Sequence, residues 1–345
     1  MKLLRILLFP FALLYGLITN IRNWFYTIGI FKRTSFAIPT IVVGNLSVGG
    51  TGKTPMVEYI IRLLKDQYQT TTLSRGYKRK SEGFFLADAD TTMEQIGDEP
   101  FQYHCKFDNI NVAVDAKRVN GVENILQRKP NTEVIVLDDA FQHLAFQGGL
   151  YILLTTYDDP YFKDFMLPTG NLRESRKGAK RADIIIITKC PKDLSEAQQK
   201  SITQELHLKQ GQLSFFTYID FSKIAYSKSD SVEVTRLIQD DFILVAGIAK
   251  PQSFFDHLKK EDTLCLTFPD HHHFSSADLE LILNKAQGKK IITTEKDYVR
   301  LQGLLPESQL FYLPIQTAFL NNSEAFDTKI LHYVGESTRN RSIHH

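Results

Sequence analysis

Short runs of apolar, mostly β-branched residues alternate along this chain with segments in which apolar residues recur every three or four positions. The short runs predict buried strands at 40–43, 70–73, 111–114, 134–137, 151–154 and 184–187. The periodic segments predict helices, one carrying Val57, Ile60, Ile61 and Leu64 and others at 117–127 and 195–206. Because wholly apolar strands that alternate with helices form parallel sheets covered on both faces, we predict an α/β fold of that kind.

A polar stretch at 213–235 with scattered aromatic residues interrupts this alternation and predicts a β-rich connection. The alternation resumes from Asp241, with strands predicted at 242–246, 263–268 and 290–293 and helices at 252–259 and 276–287. The length of 345 residues accommodates two cores. We therefore predict an N-terminal segment at 1–35, a larger α/β domain at 36–214 and a smaller α/β lobe at 215–345.

The N-terminal segment differs from the rest because residues 6–18 read ILLFPFALLYGLI, with Lys2 and Arg5 before this run. No small-residue cleavage site follows, which argues against a signal peptide. The run is short and contains Pro10, which argues against a helix that spans the hydrocarbon core. Two alternatives stay open: a helix in the membrane interface, with aromatic residues such as Trp24 at the boundary, or a hydrophobic helix packed on the protein itself. We expect membrane association without a full span.

Composition and charge narrow the class of protein only slightly. The chain is 43% hydrophobic, 11% aromatic and 23% charged, which is typical of a globular protein. It carries 41 basic and 39 acidic residues, so its net charge of +2 gives no support to a nucleic-acid partner. Cys105, Cys190 and Cys265 lie far apart without metal or redox spacing, which favours buried thiols in a reducing compartment.

A glycine-rich sequence directly after the first predicted strand is the strongest chemical signal in the chain. Residues 43–54 read VGNLSVGGTGKT and open a predicted helix, which is the context of a phosphate-binding loop (P-loop). Glycines let backbone N–H groups converge on phosphate oxygens, and the helix N-terminus adds partial positive charge. In such a loop Lys53 reaches the β- and γ-phosphates and Thr54 binds Mg²⁺. Ser47 stands where the motif usually begins with glycine, so the loop is a variant. The predicted nucleotide-binding residues are Gly49, Gly50, Thr51, Gly52, Lys53 and Thr54.

Two adjacent carboxylates follow another predicted strand. Asp138 and Asp139 come directly after the apolar run 134–137. Ligands of α/β sheets bind at the carboxyl ends of the strands, so we expect these side chains beside the P-loop. We predict that Thr54, Asp138 and Asp139 form the Mg²⁺ shell, with one carboxylate on the metal and the other free for chemistry or for orienting water.

Four further segments combine polar side chains with turn-forming residues, as active-site loops do. They are 97–100 (GDEP), 141–143 (FQH), 167–174 (LPTGNLRE) and 270–273 (DHHH). Structural explanations also stay open, the first segment as a helix start and Arg173–Glu174 as a surface pair. The adjacent histidines 271–273 lack the convergent spacing of metal ligands, so a histidine acting beside a carboxylate is the better interpretation.

These segments together resemble one family, the tetraacyldisaccharide 4′-kinases of lipid A biosynthesis. The matching sequences cover nearly the whole chain: GNLSVGGTGKTP (44–55), LSRGY (73–77), GDEP (97–100), DDAFQH (138–143), LPTGNLRE (167–174), RAD (181–183), AGIAKPQSFF (246–255), FPDHH (268–272) and TTEKD (293–297). Ala140 departs from the family pattern, in which glycine is expected, but its methyl group removes no functional group.

The resemblance implies an activity that the residues alone do not reach. Such enzymes transfer the γ-phosphoryl group of ATP to the 4′-hydroxyl of a membrane-embedded, acylated glucosamine disaccharide 1-phosphate, which forms lipid IVA. For this chain it implies ATP and Mg²⁺ as cofactors and the lipid and the membrane surface as partners. It also implies a peripheral or monotopic location at the cytoplasmic face of the bacterial inner membrane, through the N-terminal helix. We expect no nucleic-acid partner and a monomer.

The resemblance also implies roles for individual residues. Asp98 is expected to be the general base that takes the proton of the 4′-hydroxyl, with His271 holding it ionised and raising its basicity. Lys53 and Asp139 complete the expected catalytic set. Residues expected to contact the substrate are Arg75, Glu99, Gln142, His143, Asn171 and Glu174. Two choices stay open: which of the adjacent aspartates binds Mg²⁺ directly, and whether His271 or His272 partners Asp98.

Two other functions stay open on the sequence. One is a nucleotide-driven switch or a metal-insertion NTPase, many of which carry a second lysine where this chain has Val48. Such a protein also has no need of an apolar N-terminal helix. The other is a non-catalytic membrane protein that retains the fold, against which the intact set of polar residues argues: Lys53, Thr54, Asp98, Asp138 and His271.

Overall fold

The structure, a computed structural model, describes residue 5 and residues 7–343, so Lys2 and Ile6 of the N-terminal run lie outside the described residues. The strands are β1 (Thr40–Asn45), β2 (Thr70–Ser74), β3 (Phe85–Leu86), β4 (Asn111–Val114), β5 (Val134–Asp138), β6 (Leu150–Thr156), β7 (Ile184–Thr188), β8 (Leu213–Phe221), β9 (Ile224–Tyr226), β10 (Ser231–Glu233), β11 (Phe242–Ala246), β12 (Leu264–Thr267), β13 (Lys290–Thr294), β14 (Leu310–Leu313) and β15 (Ile315–Phe319). The α-helices are α1 (Phe9–Thr27), α2 (Lys53–Leu64), α3 (Met93–Ile96), α4 (Asp98–Lys106), α5 (Arg118–Arg128), α6 (Glu196–Glu205), α7 (Val234–Leu237), α8 (Gln252–Leu258), α9 (Ser276–Ala286), α10 (Glu295–Leu301) and α11 (Ser323–Ile343).

The larger sheet has nine strands in the order β15-β8-β7-β6-β1-β5-β2-β4-β3. Its seven central strands are parallel, and the two edge strands, β3 and β15, run antiparallel to their neighbours. The six strands predicted in this half are confirmed, because their runs of apolar and threonine side chains are buried on both faces. Val43 of β1 pairs with Asp138 of β5, so the segments that follow these two strands emerge side by side.

The smaller sheet has six strands in the order β10-β9-β14-β13-β11-β12. Strands β12, β11, β13 and β14 are parallel, as the predicted alternation of strands and helices requires. The predicted α/β class of both lobes is therefore confirmed. The chain crosses between the sheets twice, from β8 to β9 and from β14 to β15, and the strands β8 and β15 pair with each other.

The strands do not separate into the two sheets at residues 214 and 215, where the domain boundary is predicted. Both β8 and β15 belong to the larger sheet, and α11 packs there as well. The physical reason is burial, since Phe215, Phe326, Ile330 and Val334 join the core beneath α2. The C-terminal part of the chain therefore returns to the first lobe, and the second sheet is built from residues 224–313.

The face of helix α1 that is buried against the rest of the protein is a narrow stripe of small residues. Ala12, Gly16 and Thr19 are buried, and Met166 packs against Gly16. Its large apolar side chains are mostly exposed: Phe9, Phe11, Leu13, Leu14, Leu17, Ile18, Ile21 and Trp24. Within the described part of the chain, no helix is both long and apolar enough to cross a membrane.

The cysteines depart in part from the expectation of buried thiols. All three are free, and Cys190 is buried behind β7. Cys105 lies on an outward face of α4 and is exposed, and Cys265 is partly buried.

Candidate active site

The P-loop follows β1 and ends at Gly52, the N-cap of α2. Gly52 has a φ of 82°, a left-handed conformation that glycine adopts at little cost, and no side chain caps the first turn of α2. Thr188, at the end of β7, donates to the carbonyl of Thr51 at 2.8 Å. The first-turn N–H groups of α2 therefore have no side-chain acceptor, as an anion-binding helix start requires.

The segment 167–174 stabilises the other side of this loop. The N–H of Val48 donates to the carbonyl of Asn171, and the N–H of Arg173 donates to the carbonyl of Leu46, both at 2.8 Å. Ser47 forms an isolated bridge with Leu172 and does not have a positive φ. Its conformation is thus open to any residue, which explains why serine is accommodated at the position where the motif usually has glycine.

Lys53 and the two carboxylates at the end of β5 lie at this edge of the sheet. Lys53 Nζ lies 3.7 Å from Asp139 Oδ1, and Arg173 donates to the same oxygen at 2.9 Å. Burial would raise the pKa of Asp139, but the charges of Lys53 and Arg173 hold it well below its usual range. Burial and the carboxylate of Glu99 instead raise the pKa of Asp138 to about 7. The two adjacent aspartates therefore have opposite electrostatic environments.

Thr54 and Asp138 meet around one buried hydroxyl, that of Tyr103. Tyr103 donates to Asp138 Oδ2 at 3.2 Å, and the side chain of Thr54 also contacts this hydroxyl. Asp138 Oδ1 is buried and lacks a hydrogen-bond partner among the described residues. A buried carboxylate oxygen without a donor is costly unless a cation compensates it. A hydroxyl and a carboxylate are ligands that Mg²⁺ prefers, so these residues fit the predicted metal.

The turn after β5 explains why alanine is tolerated at position 140. Asp139, not Ala140, adopts the positive φ, of 47°. The tightest approach in this turn is between Phe141 and Gly44, where an added Cβ would lie 2.6 Å from Phe141 Cβ. Glycine is therefore required at position 44 rather than at position 140.

A second cluster brings together residues from both lobes. Asp98 begins α4 in the first lobe, and His271 lies in the loop after β12 in the second lobe. His271 Nδ1 lies 2.9 Å from Asp98 Oδ2. His272 instead pairs with Asp278, at 3.0 Å. His271 is therefore the histidine that contacts Asp98, and it packs edge-on against the ring of Tyr77.

Two cations from α10 complete this cluster. Arg300 hydrogen-bonds Asp98 Oδ2, and Lys296 Nζ lies 3.0 Å from His271 Nε2 and 3.4 Å from Glu99 Oε1. Burial would raise the pKa of Asp98, but the hydrogen bond from His271 and the charges of Lys296 and Arg300 hold it well below its usual range. The expectation that pairing raises the basicity of Asp98 is therefore wrong in this structure, because the hydrogen bond from His271 and the charges of α10 together outweigh burial.

The helix α4 connects the two clusters. Asp98 and Glu99 lie at its first turn, and Tyr103, further along the same helix, donates to Asp138. Glu99 lies close enough to Asp138 to raise the pKa of that carboxylate. The P-loop with its carboxylates and the Asp98–His271 pair are thus parts of one site.

Gln142 and Glu174 lie in a hydrogen-bonded network beneath α1. Glu174 is fully buried and accepts from Arg181 at 2.8 and 2.9 Å, from Gln142 at 3.0 Å and from Asn23 at 3.1 Å. Gln142 also donates to the carbonyl of Asn45 at 2.7 Å. Glu174 therefore connects α1 to the P-loop region, and the surface pair with Arg173 is not formed.

The other predicted contact residues surround the carboxylates. Arg75 is exposed after β2, and its charge acts on His143. Burial and the neighbouring Arg118 and Arg75 lower the pKa of His143 to about 4, which keeps its imidazole neutral at pH 7. Asn171 lies on the segment that stabilises the P-loop, where its backbone N–H donates to the carboxylate of Asp164.

Sequence reasoning missed four side chains of this site. Arg118 is buried at the start of α5 and donates to the carbonyl of Asp138 at 3.0 Å. Tyr103, Lys296 and Arg300 occupy the contacts described above. No sequence motif marks Arg118 or Tyr103, whereas TTEKD at 293–297 marks the region of Lys296 without indicating its role.

Comparisons with known proteins agree with this geometry. A family model described as tetraacyldisaccharide-1-P 4′-kinase matches residues 4–335. A tetraacyldisaccharide 4′-kinase from Flavobacterium johnsoniae is 58% identical, over 98% of this chain and 99% of that protein. One from Bacteroides thetaiotaomicron is 42% identical, over 97% of this chain and 95% of that protein.

A solved structure is similar as well. It is described as an "apo" form of LpxK from Aquifex aeolicus in complex with ATP, and it shares 31% identity with a TM-score of 0.77. The likeness covers 96% of this chain and 99% of that one. With a family match over nearly its whole length and close relatives of the same length, the chain belongs to the tetraacyldisaccharide 4′-kinase family.

Proposed function

We propose that this protein transfers the γ-phosphoryl group of ATP to the 4′-hydroxyl of the tetraacylated glucosamine disaccharide 1-phosphate, forming lipid IVA in lipid A biosynthesis. Membership of the kinase family and likeness to an ATP complex support the activity. The observation that carries the proposal is the helix α4, which joins the two parts of the site. Its Tyr103 donates to Asp138 beside the P-loop, and its Asp98 pairs with His271. A kinase needs both an anion-binding site and a group that orients the acceptor hydroxyl.

Different residues bind the phosphates of ATP and remove the proton of the acceptor hydroxyl. The N–H groups of the P-loop and Lys53 bind the phosphates, and Arg173 holds Asp139 in register with Lys53. Asp98 accepts the hydrogen bond of the 4′-hydroxyl and takes its proton as the hydroxyl oxygen bonds to the γ-phosphorus. The bond from the γ-phosphorus to the β,γ-bridging oxygen breaks in the same step, and ADP is the leaving group. Because phosphoryl transfer depends mainly on positioning and charge neutralisation, a weakly basic carboxylate suffices for this role.

Thr54 and Asp138 would hold Mg²⁺ beside the P-loop, and Asp139 would orient the surrounding water. The orphaned Oδ1 of Asp138 supports this assignment of the direct ligand. When bound, the ion neutralises charge on the β- and γ-phosphate oxygens. The remaining predicted contacts, Arg75, Glu99, Gln142, His143, Asn171 and Glu174, would border the acceptor and the nucleotide.

Membrane association through α1 follows from its exposed apolar face. A row of large apolar side chains is solvent-exposed on a helix whose buried residues are the small Ala12, Gly16 and Thr19. Its other contacts with the protein are polar, through Tyr15 and Asn23. Such a helix fits a bilayer interface, where apolar side chains enter the acyl region. We place the enzyme at the cytoplasmic face of the bacterial inner membrane, where ATP and the acylated acceptor meet. We also propose that the enzyme acts as a monomer.

The direct test is transfer of label from γ-labelled ATP to the detergent-dispersed disaccharide 1-phosphate lipid. Labelled lipid that forms only when ATP, Mg²⁺ and acceptor are all present supports the proposal. A parallel reaction without acceptor measures ATP hydrolysis. Steady hydrolysis that the lipid does not change, with no labelled lipid, would instead indicate a nucleotide-driven switch.

A further inference from the structure

The second lobe contributes more than His271 to the catalytic pair. Lys296 and Arg300 lie four residues apart on α10, so they occupy the same face of that helix. Both cations face the pair. Arg300 is buried and hydrogen-bonds Asp98 Oδ2, and Lys296 lies 3.0 Å from His271 Nε2.

We propose that Arg300 and Lys296 are positioning residues that hold Asp98 and His271 as a working pair across the two lobes. This inference rests on the proposed role of Asp98 as the base. Arg300 fixes the carboxylate, and Lys296 fixes the imidazole.

The position of Arg300 is itself fixed by the second lobe. Its Nη1 donates to Asp297 Oδ1 at 2.9 Å and to the carbonyl of Gly247 at 3.3 Å. Asp297 is fully buried and accepts a hydrogen bond from the N–H of Gly247 at 2.8 Å. It also accepts one from the hydroxyl of Thr294, the N-cap of α10, at 2.7 Å. The guanidinium therefore reaches Asp98 from a rigid support, and a planar cation held at both ends sets the direction of the carboxylate it binds.

Lys296 and the Asp98 carboxylate together determine which ring nitrogen of His271 carries the hydrogen. An ammonium group only donates, so Nε2 must present its lone pair to Lys296. The hydrogen of a neutral imidazole is then on Nδ1, which lies 2.9 Å from Asp98 Oδ2. Arg300 Nη2 lies further from Nδ1, at 3.3 Å, and donates its hydrogen bond to Asp98 Oδ2 instead. Lys296 thus selects the tautomer that donates to Asp98, and a second bond to Glu99 at 3.4 Å holds it there.

The electrostatic consequence is measurable. The charged or titratable groups around Asp98 are His271, Asp270, Glu99, Lys296, Asp297 and Arg300, and Tyr77 packs on the imidazole. The positive charges of Lys296 and Arg300 favour the ionised carboxylate and lower its pKa. Removing either charge shifts the acidic limb of the kcat–pH profile to higher pH.

The test uses the full-length enzyme in the lipid transfer assay, with Arg300→Lys, Arg300→Met and Lys296→Met. The matched control is Lys290→Met, which removes a lysine that pairs with Asp240 at the opposite end of β13. We expect kcat to fall about 100-fold for Arg300→Met, because misplacing a catalytic group by about 1 Å costs that much. We expect a loss of about 10-fold or more for Lys296→Met, from the wrong tautomer. KM for ATP stays near wild type, the acidic limb moves to higher pH, and Arg300→Lys recovers part of the rate.

Wild-type kcat and an unshifted acidic limb in both Lys296→Met and Arg300→Met would overturn the inference. If Arg300→Met does not fold, Lys296→Met decides the question, because Lys296 is partly exposed and its loss leaves no large cavity. Asp98→Ala is measured in parallel. Full transfer by Asp98→Ala contradicts the proposed base itself, whereas collapse of Asp98→Ala with unchanged α10 variants contradicts only the positioning role.

Discussion

Lys53 Nζ and Asp139 Oδ1 lie 3.7 Å apart, and Arg173 donates to the same carboxylate oxygen at 2.9 Å. A carboxylate that follows the neighbouring strand therefore lies beside the lysine of the proposed phosphate-binding loop. The pair forms because β5 and β1 are neighbours in the sheet, so the segments that follow them lie side by side.

Lys53→Met removes the positive charge that neutralises the phosphates. We expect kcat for lipid phosphorylation to fall by about 10²–10³-fold, the usual cost of losing one preorganised charge-stabilising group. Lys65→Met, just past the end of the same helix and paired with Asp66, is the control and should retain wild-type transfer. Equal activity of the two variants would contradict the role of Lys53.

Gly44→Ala tests the contact between the turn after β5 and the P-loop strand. An added Cβ would lie 2.6 Å from Phe141 Cβ and 3.2 Å from its backbone nitrogen, so the strand or the turn must move. We expect a loss of about 1–3 kcal/mol in the free energy of unfolding, as overpacking usually costs. Urea unfolding measures it, with Gly50→Ala as a control that should stay within about 0.5 kcal/mol of wild type. Gly44→Ala as stable as that control would count against this packing.

The neutral state of His143 predicts how stability depends on pH. Its folded pKa is about 4, below the ordinary 6.5, because of burial and the charges of Arg118 and Arg75. A lowered folded pKa contributes stability above pH 6.5 that is lost as pH falls toward 4. We expect wild type to lose roughly 1–3 kcal/mol more than His143→Gln across this window, allowing for solvent screening. Urea unfolding of both proteins from pH 7.5 to 4 measures the difference, and parallel curves would contradict it.

The exposed face of α1 predicts a membrane-binding defect that leaves the fold intact. Leu13→Glu and Leu17→Glu together place two charges on side chains that are 61% and 56% exposed. We expect sedimentation with anionic lipid vesicles to fall about 10-fold or more, because charges at an apolar interface are costly. Leu304→Glu, also exposed but in the second lobe, is the control. If the double variant and the control bind vesicles equally, α1 is not the membrane anchor.

Closure of the two lobes on ATP is a further expectation, since kinases often exclude water in this way. The Asp98–His271 contact joins the lobes, and β8 and β15 connect them. A crosslink that holds the lobes apart should abolish transfer while leaving lipid binding intact. Unchanged turnover in the crosslinked enzyme would contradict closure.

The sequence predicts most strands correctly because buried parallel strands are apolar over their whole length, as in 184–187. The return of β15 to the larger sheet is not predictable in this way. Its sequence, IQTAF, is short and mixed, and its partner β8 lies far away along the chain. Pairing between such distant segments depends on tertiary packing, here of Phe319 and Phe326 on Phe215.

The site divides in the same way. Lys53, Thr54, Asp138 and Asp139 lie in local motifs whose chemistry is carried by a few adjacent residues. Arg300 and Lys296 look like two ordinary cations on a helix surface, and only the fold brings them to Asp98. The pKa of Asp98 depends on groups from the other lobe, so the sequence does not predict that its basicity is lowered rather than raised.

The most direct test of the account is the rate of label transfer from γ-labelled ATP to the disaccharide 1-phosphate lipid by wild type, Asp98→Ala and Asp98→Asn. Vesicle sedimentation and ATP affinity are measured on the same three proteins. We expect both variants to bind ATP and membranes as wild type does and to lose at least about 100-fold in kcat, within the range of general acid–base contributions. Transfer by Asp98→Ala at the wild-type rate would contradict the central claim that Asp98 takes the proton of the acceptor.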